Sequence, residues 1–380
     1  MQYRDFGRHG FKVSALGFGT MRLPVIDGDN RKVDEDEAIK MIRYAIDHGV
    51  NYLDTAYPYH GGHSENVLGK ALKDGYRERI KVATKLPVWL LKTQEDFEKY
   101  LSEQMERLKL QHIDLYLLHA LDRNLWKTVE ELDLLECLEN AKREGRVGLT
   151  GFSFHDNLDL FKQIVDSYPW DFCQIQLNYV DDTFQAGVEG LKYAAAQGIP
   201  VVIMEPIKGG RLAENQPEEV GQILDRAAVR RTPAEWALRW VLNHSEVTVA
   251  LSGMSTMQQV AENINTVLDA YPGSLTGEEL SLLSEAKQAF LQRVKVGCTR
   301  CNYCVPCAQG VLIPDIFYLY NDIYVYGRGE AASRIYARFV AANKSASACV
   351  ECGECEQKCP QGLKIMDLLK DAHSSLQRAS

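Results

Sequence analysis

Short runs of apolar and β-branched residues alternate along most of the chain with longer segments whose apolar positions recur at helical spacing. The short runs predict eight strands, at Ala15–Gly19, Asn51–Thr55, Lys81–Lys85, Ile113–His119, Val147–Ser153, Phe172–Leu177, Val201–Glu205 and Val247–Leu251. Helices are predicted between them, for example at Asp34–His48, Thr93–Lys109, Thr128–Arg143 and Pro233–Leu242. Gly49 and Gly145 follow two of these segments, where a left-handed residue often ends a helix.

Eight strands that alternate with helices predict a (β/α)8 TIM barrel of the α/β class. A doubly wound open sheet is the alternative, but Gly17-Phe18-Gly19 after the first strand does not continue as G-x-G-x-x-G. The composition changes near Val296, and Pro314–Ala342 is rich in Tyr and Phe and helical in pattern. We therefore predict a barrel at residues 1–295 and a small α-helical domain at residues 296–380.

The composition and charge of the chain indicate which classes of protein it can belong to. The 380 residues are 46% hydrophobic and 25% charged, which is ordinary for a globular protein. A net charge of −9 argues against nucleic acid as a partner, because phosphate binding requires clustered positive charge. No apolar stretch approaches 18 residues and the first ten residues lack an apolar core. These features predict a cytoplasmic protein with neither a membrane span nor a signal peptide.

Eight of the ten cysteines lie in two tight runs near the C-terminus. The first run is Cys298, Cys301, Cys304 and Cys307, and the second is Cys349, Cys352, Cys355 and Cys359. The second run reads C-x2-C-x2-C-x3-C-P, the spacing of bacterial ferredoxins, so we predict a ferredoxin-like [4Fe–4S] domain. Zinc is the alternative, because zinc ribbons also use C-x2-C pairs. Cys137 and Cys173 lie on apolar stretches and are predicted to be buried in the core.

The two runs suffice for two clusters. In the two-cluster pattern the fourth cysteine of each run serves the other cluster. This predicts one set of Cys298, Cys301, Cys304 and Cys359, and a second set of Cys349, Cys352, Cys355 and Cys307. The first run departs from the pattern because its last gap is two residues and Ala308 replaces the usual proline. One or two clusters are therefore expected, with two favoured.

Polar side chains stand at the ends of neighbouring predicted strands. Asp54, Lys85 and His119 end the second, third and fourth strands, and Tyr59 follows Asp54 by five residues. Because active sites of such barrels lie at the C-terminal ends of the strands, we expect these four side chains to meet. His60 and His63 are either metal ligands or part of a polar loop, and the loop is the prediction.

These motifs, D-T-A-x-x-Y, the lysine after the third strand and L-L-H after the fourth, resemble the aldo-keto reductase family. Gly151-Phe152-Ser153 and the run Gln174–Asn178 extend the resemblance, which covers about residues 1–290. It implies NAD(P)H-dependent reduction of an aldehyde or ketone, in a subfamily with a C-terminal iron–sulfur domain. Tyr59 would be the general acid, Lys85 would lower its pKa, Asp54 would pair with Lys85 and His119 would orient the carbonyl.

The resemblance also implies a cofactor site. Its residues would be Gly19, Thr20, Ser153, Gln174, Met204, Pro206, Gly209, Gly210, Gly253, Ser255, Thr256, Gln259, Glu262 and Asn263. Met204 stands where the family often has a stacking aromatic. Gly253 and Gln259 stand where Lys and Arg often grip the 2′-phosphate of NADP. NADH therefore remains open, although the resemblance favours NADPH.

The expected partners are a small-molecule carbonyl substrate and an electron-transfer partner for the clusters. The clusters either carry electrons or stabilise the fold. The alternative function is a nucleotide-binding redox sensor or electron-transfer protein that reduces no carbonyl.

Overall fold

The computed structural model describes residues 1–214, 216–300 and 302–379 of the chain. The chain divides into two compact units, and each contains two separate stretches of sequence. The first unit comprises Met1–Gly209 and Thr232–Thr276, and the second comprises Gly210–Arg231 and Gly277–Ser380. The domain boundary near residue 295 stays a prediction.

Eight parallel strands close into a barrel in the first unit, so the predicted fold class is confirmed. The strands of the described residues are β1 Tyr3–Asp5, β2 Lys12–Ser14, β3 Leu16–Gly19, β4 Tyr52–Asp54, β5 Lys81–Leu86, β6 Ile113–Leu121, β7 Val147–Phe154, β8 Phe172–Gln176, β9 Val201–Met204 and β10 Val247–Gly253. Strands β3 to β10 follow one another around the barrel, and β10 pairs with β3 to close it. Each overlaps one predicted strand, whereas the antiparallel pair β1–β2 was not predicted.

Helices connect the strands and build the second unit. They are α1 Glu35–Asp47, α2 Ser64–Ala71, α3 Glu95–Leu108, α4 Arg123–Glu131, α5 Leu134–Arg143, α6 Leu158–Ser167, α7 Gly187–Ala196, α8 Glu218–Leu224, α9 Pro233–Leu242, α10 Met257–Val267, α11 Gly277–Leu291, α12 Ile313–Tyr326, α13 Gly329–Ala341, α14 Glu354–Gln357 and α15 Ile365–Arg378. Short 3₁₀ turns lie at Thr20–Arg22, Ile26–Gly28, Tyr59–Gly62, Arg77–Arg79, Val88–Leu90, Lys208–Gly210 and Ala346–Ala348. Within the described residues, no helix is both long and apolar enough to cross a membrane.

Gly49 and Gly145 have φ of 97° and 74°, so the predicted left-handed helix ends are confirmed. The single helix predicted at Thr128–Arg143 is wrong, because α4 and α5 are separate helices. Asp133 between them has φ of 49°, a left-handed conformation that interrupts the helical hydrogen bonding.

The direction of side chains in the barrel interior explains why polar groups near the strand ends come together. Buried apolar side chains fill it, from Phe6, Val13, Tyr52, Ala83, Leu115, Leu117, Phe172, Val202, Val249 and Leu251. Side chains alternate along a strand, so a residue two positions further on faces the same interior. Asp54, Lys85, His119 and Gln174 each follow an interior residue by two positions. They therefore form the layer at the C-terminal end of the barrel.

The second unit is helical and has its own core. That core includes Val296, Ile316, Phe317, Tyr336 and Leu369, and cysteines of both runs pack against it. The helical region predicted at Pro314–Ala342 is two helices, α12 and α13, which are separated at Gly327 with φ of 62°.

Ion pairs join the segment Gly210–Arg231 to helices α11 and α12 of the second unit. The Arg211 guanidinium donates to both carboxylate oxygens of Asp322 on α12, with Nε at 2.9 Å and Nη2 at 2.6 Å. Arg226 pairs with Glu285 on α11 at 2.7 Å. The segment therefore folds as part of this unit, although it lies between two barrel strands in the sequence.

Candidate active site

The structure brings together the four side chains predicted to be catalytic. Lys85 Nζ donates to Asp54 Oδ1 at 2.6 Å and to the Thr55 carbonyl oxygen at 2.8 Å, and it lies 3.5 Å from Tyr59 Oη. The rings of Tyr59 and His119 are 6.0 Å apart in an edge-on arrangement. One ammonium group therefore links a carboxylate and a phenol at the C-terminal mouth of the barrel.

Burial and nearby charges set the protonation states of Lys85 and Tyr59. Burial lowers the pKa of Lys85, but Asp54 and Tyr59 together outweigh it and the net shift is upward. Burial raises the pKa of Tyr59; Lys85 opposes this, as expected, but only in part, so the net shift is also upward. Near neutral pH the site therefore holds an ammonium beside a protonated phenol, which has a proton to donate.

His119 is neutral under the same conditions. Burial, followed by the nearby charge of Lys85, moves the pKa of His119 well below its usual value. Its Nδ1 is buried and has no hydrogen-bond partner among the described residues. A neutral imidazole carries one N–H donor, so His119 can hydrogen-bond a substrate without adding charge.

Trp89 is a residue of this site that the sequence interpretation missed. It lies on the 3₁₀ turn after β5, and its ring centroid is 5.1 Å from that of His119. The side chain is 43% exposed although its neighbour Val88 is fully buried. The signal available in the sequence was a large aromatic residue four positions after Lys85. Its open face forms an apolar wall beside the polar group.

The next inward-facing positions fit a nicotinamide carboxamide. Gln174 is buried, and its Oε1 has no partner in the described part of the chain. Ser153 Oγ accepts a hydrogen bond from the Ala120 N–H at 2.7 Å and keeps its own proton to donate. An unpartnered acceptor beside a free donor matches the NH2 and C=O of an amide. Met204 ends β9 and is partly exposed, where its thioether can pack against a ring.

The predicted phosphate-binding residues of β10 and α10 are already organised among themselves. Gly253 lies opposite Gly19 in the register of β10 and β3. The Thr256 hydroxyl caps α10 by accepting from the Gln259 N–H at 3.3 Å. Gln259 Oε1 in turn accepts from the Ser255 N–H at 2.8 Å. Gln259 therefore holds the first turn of the helix and presents no positive charge.

Three other predicted cofactor residues have partners within the protein. Thr20 Oγ1 donates to the Asp54 carbonyl oxygen at 3.0 Å, which fixes the backbone next to the active site. Asn263 Nδ2 donates to Ser252 Oγ at 3.0 Å. Glu262 accepts from Gln258 at 2.7 Å on the exposed face of α10.

The loop after β9 has an unusual backbone. Glu205, Lys208, Gly209 and Gly210 have φ of 54°, 49°, 62° and 89°, and Pro206 lies between the first two. Lys208 is paired with Asp181. Glycine adopts positive φ at little cost, so Gly209 and Gly210 suit this turn of the backbone.

Arg22 is a second residue that sequence interpretation missed. A Cβ on Gly253 would lie 3.3 Å from Cβ, Cγ and Cδ of Arg22. The Arg22 carbonyl oxygen accepts from Ser255 Oγ at 2.8 Å. An exposed arginine from the turn after β3 thus occupies the space that a side chain at position 253 would take. Nothing local signals this, because it depends on the pairing of β3 with β10.

His60 belongs to the loop over the site. Its Nδ1 lies 2.8 Å from the Asn30 carbonyl oxygen, and its Nε2 accepts from the Leu23 N–H at 3.2 Å. Both ring nitrogens therefore bond to backbone. Among described side chains, no group of three or more His, Cys, Asp or Glu could hold a single metal ion.

The cysteines of the second unit line two cavities. The larger, with about 450 Å³ of space that is partly open to solvent, is lined in part by Cys304, Cys307, Cys349, Cys352 and Cys355. The smaller, with about 330 Å³ of such space, is lined in part by Cys298, Cys304 and Cys359. Cys301, also a predicted ligand, lies outside the described residues. Thiolates are the donors that iron–sulfur clusters take, so these linings fit such a group. Cys137 and Cys173 are buried, as predicted.

Comparison with known proteins gives two family matches. The model of the Aldo/keto reductase family matches residues 15–273, and that of the 4Fe-4S dicluster domain matches residues 297–364.

Individual relatives match the barrel. L-galactose dehydrogenase of Arabidopsis thaliana is 32% identical over 78% of this chain and 96% of its own length. The NADH-specific methylglyoxal reductase of Escherichia coli (strain K12) is 25% identical, over 76% of this chain and 99% of its own length. The holo structure of aldo-keto reductase AKR11C1 from Bacillus halodurans covers 75% of this chain and 96% of that one, with a TM-score of 0.62 and 26% identity.

Proposed function

Because the chain belongs to the aldo/keto reductase family and carries a C-terminal 4Fe-4S dicluster domain, we propose that it reduces a small-molecule aldehyde or ketone to an alcohol with NAD(P)H. The observation that carries this proposal is the contact of Lys85 Nζ with both Asp54 and Tyr59. When bound, the nicotinamide supplies the hydride. The relatives named L-galactose dehydrogenase and methylglyoxal reductase agree with an oxidoreductase of small molecules.

Side chains of the protein donate the proton to the carbonyl oxygen and orient the substrate. Tyr59 gives its proton to the carbonyl oxygen, and the charge of Lys85 stabilises the phenolate that remains. Asp54 keeps Lys85 charged inside the barrel. His119 donates its single N–H to the same carbonyl oxygen, and Trp89 bounds the substrate on the apolar side. Gln174 and Ser153 would hold the carboxamide of the nicotinamide.

Turnover with a panel of aldehydes and ketones tests this function. Oxidation of NADPH or NADH should depend on the added carbonyl, and an alcohol should form in equal amount. Cofactor binding without turnover on any carbonyl would instead support a nucleotide-binding redox sensor.

The cysteine-lined cavities support two clusters in the predicted sets. Cys307 lines the larger cavity with Cys349, Cys352 and Cys355, and Cys359 lines the smaller cavity with Cys298, while Cys304 lines both. Cys352 is exposed, which gives a cluster in the larger cavity a route to an electron-transfer partner. We propose that the clusters carry electrons, and that the domain boundary lies near residue 295.

We predict that NADPH partly bleaches the broad visible absorption of anaerobically purified protein in the absence of any carbonyl. Reduction of an iron–sulfur cluster lowers this absorption, so bleaching would follow if electrons reach the clusters. Dithionite provides the fully reduced reference spectrum. A band that dithionite bleaches and NADPH leaves unchanged would contradict electron transfer from the nucleotide and would assign the clusters a structural role.

Arg22 supports a preference for NADPH. Its stem lies beside Gly253, at the place from which the family's lysine reaches the 2′-phosphate. Its guanidinium would then hold that phosphate, because arginine binds phosphate with two parallel hydrogen bonds.

Replacing Arg22 by Ala is expected to weaken NADPH binding about tenfold, because a charge-assisted hydrogen bond is lost at an exposed site. NADH binding should change little. Fluorescence titration with both nucleotides measures this without turnover. Arg31→Ala is the control, since Arg31 is also exposed but pairs with Asp29. Equal weakening of both nucleotides would place Arg22 on the diphosphate instead.

A further inference from the structure

Tyr52 is a buried titratable residue to which the mechanism above gives no part. Its ring lies in the barrel interior, 6.3 Å from the ring of Phe6. A Cβ on Gly17 would lie 2.6 Å from Leu251 Cδ2, 2.8 Å from Val249 Cγ1 and 3.2 Å from Tyr52 Cδ1, so the glycine permits the close packing of all three side chains. The ring is therefore held between the N-terminal segment and β3. Its hydroxyl has no hydrogen-bond partner among the described residues.

A second unpartnered oxygen lies two residues further along the same strand. Asp54 Oδ1 accepts from Lys85, whereas Asp54 Oδ2 is buried and has no partner in the described part of the chain. Residues two apart on a strand point to the same side, so Tyr52 and Asp54 both face the barrel interior. Burial, followed by the charge of Asp54, raises the pKa of Tyr52 well above its usual value. The hydroxyl thus stays protonated and can act as a donor.

The buried apolar side chains that surround the Tyr52 ring cannot bond to its hydroxyl. They belong to Phe6, Val13, Ala83, Leu115, Leu117, Phe172, Val202, Val249 and Leu251, which are all apolar. Buried polar groups in folded proteins are nearly always hydrogen-bonded, either to protein or to an enclosed water. The charge that acts on the Tyr52 hydroxyl is that of Asp54, two residues further along the same strand.

We propose that Tyr52 is a positioning residue for the Asp54–Lys85 pair, and that its hydroxyl donates to Asp54 Oδ2 through one enclosed water molecule. This inference rests on the proposed function for its effect on catalysis. A donor to the carboxylate favours the ionised form, which in turn keeps Lys85 charged beside Tyr59. The other titratable groups around the pair are His119 on β6 and Glu205 after β9, and neither bonds to Asp54 Oδ2.

The test is Tyr52→Phe, which removes one oxygen atom and keeps the ring. Loss of the donor raises the pKa of Asp54, so the carboxylate is protonated at higher pH. The acid limb of the pH profile of kcat should therefore move upward by about one pH unit. Activity on the alkaline side of that limb should change much less. A purely structural defect would lower kcat by the same factor at every pH and would overturn the proposal.

A matched control is Tyr116→Phe, because Tyr116 is also fully buried on a barrel strand. Its hydroxyl donates to Gln104 Oε1 at 2.8 Å, on the helix side of the barrel wall. This variant loses a buried hydroxyl and a hydrogen bond, and the acid limb should stay where it is. An equal shift in both variants would contradict a specific role of Tyr52.

An infrared titration separates this inference from the proposed function. The carbonyl stretch of protonated Asp54, assigned by its loss in Asp54→Asn, should appear at higher pH in Tyr52→Phe than in the wild type. That shift would support the inference even if no carbonyl is reduced, in which case only the proposed function fails. Identical titrations would overturn the inference, whatever the turnover.

Discussion

Replacing Tyr59 by Phe is expected to lower kcat for carbonyl reduction by roughly 10²–10⁴-fold, the usual contribution of a positioned general acid. The ring remains, so packing against His119 is kept, and only the proton donor 3.5 Å from Lys85 Nζ is lost. Nucleotide binding and the visible absorption of the clusters should be unchanged. Steady-state kinetics, nucleotide titration and the absorption spectrum of the same sample measure these three properties.

Tyr57→Phe is the matched control for this experiment. Tyr57 lies two residues earlier, and its hydroxyl donates to Glu103 at 2.8 Å, away from Lys85. It should retain wild-type turnover. Full activity in Tyr59→Phe would show that another group donates the proton, and the mechanism proposed above would then be wrong.

Replacing a cluster cysteine by Ala is expected to halve the bound iron, from roughly eight atoms per chain to roughly four, if two [4Fe–4S] clusters are present. The single variants Cys355→Ala and Cys359→Ala should each lose one cluster, because these cysteines line different cavities. The two changes together should remove both clusters. Iron analysis and electron paramagnetic resonance of the reduced protein measure the loss. Cys137→Ser is the control, because Cys137 lies on α5 of the barrel.

A variant at Cys307 tests which cysteines of the two runs bind the same cluster. If Cys307 belongs with Cys349, Cys352 and Cys355, the double variant Cys307→Ala/Cys355→Ala should lose one cluster only. If instead it belongs with the first run, this double variant should lose both clusters, and the predicted pairing would be wrong.

The sequence was a good guide to the barrel because its strands are encoded locally. Each buried strand is a run of apolar residues long enough to recognise, and the alternation with helices implies closure. The polar residues at or near the C-terminal ends of three strands, Asp54, Lys85 and His119, could be placed together for the same reason. The β1–β2 pair was missed because Tyr3–Asp5 and Lys12–Ser14 each contain a single apolar residue, so no apolar run marks them.

Other features depend on distant parts of the chain. Trp89 and Arg22 reach the site from turns, and their neighbours His119 and Gly253 come from other strands. The net upward shift in the pKa of Tyr59 reflects the depth of its burial, which a motif does not contain. The break at Asp133 arises from a left-handed residue other than glycine, for which the sequence offers little warning.

Because Gly210–Arg231 belongs to the second unit, it affects how the chain folds during synthesis and where the chain can be divided. This segment leaves the ribosome before its partners Asp322 and Glu285 have been synthesised, so its ion pairs must wait for the C-terminal helices. Domains generally fold as units, in order of synthesis. The cluster-bearing unit is therefore not an appendage that a single genetic cut could remove or transfer. A single cut between the two family-matched regions would leave Arg211 and its partner Asp322 on different fragments.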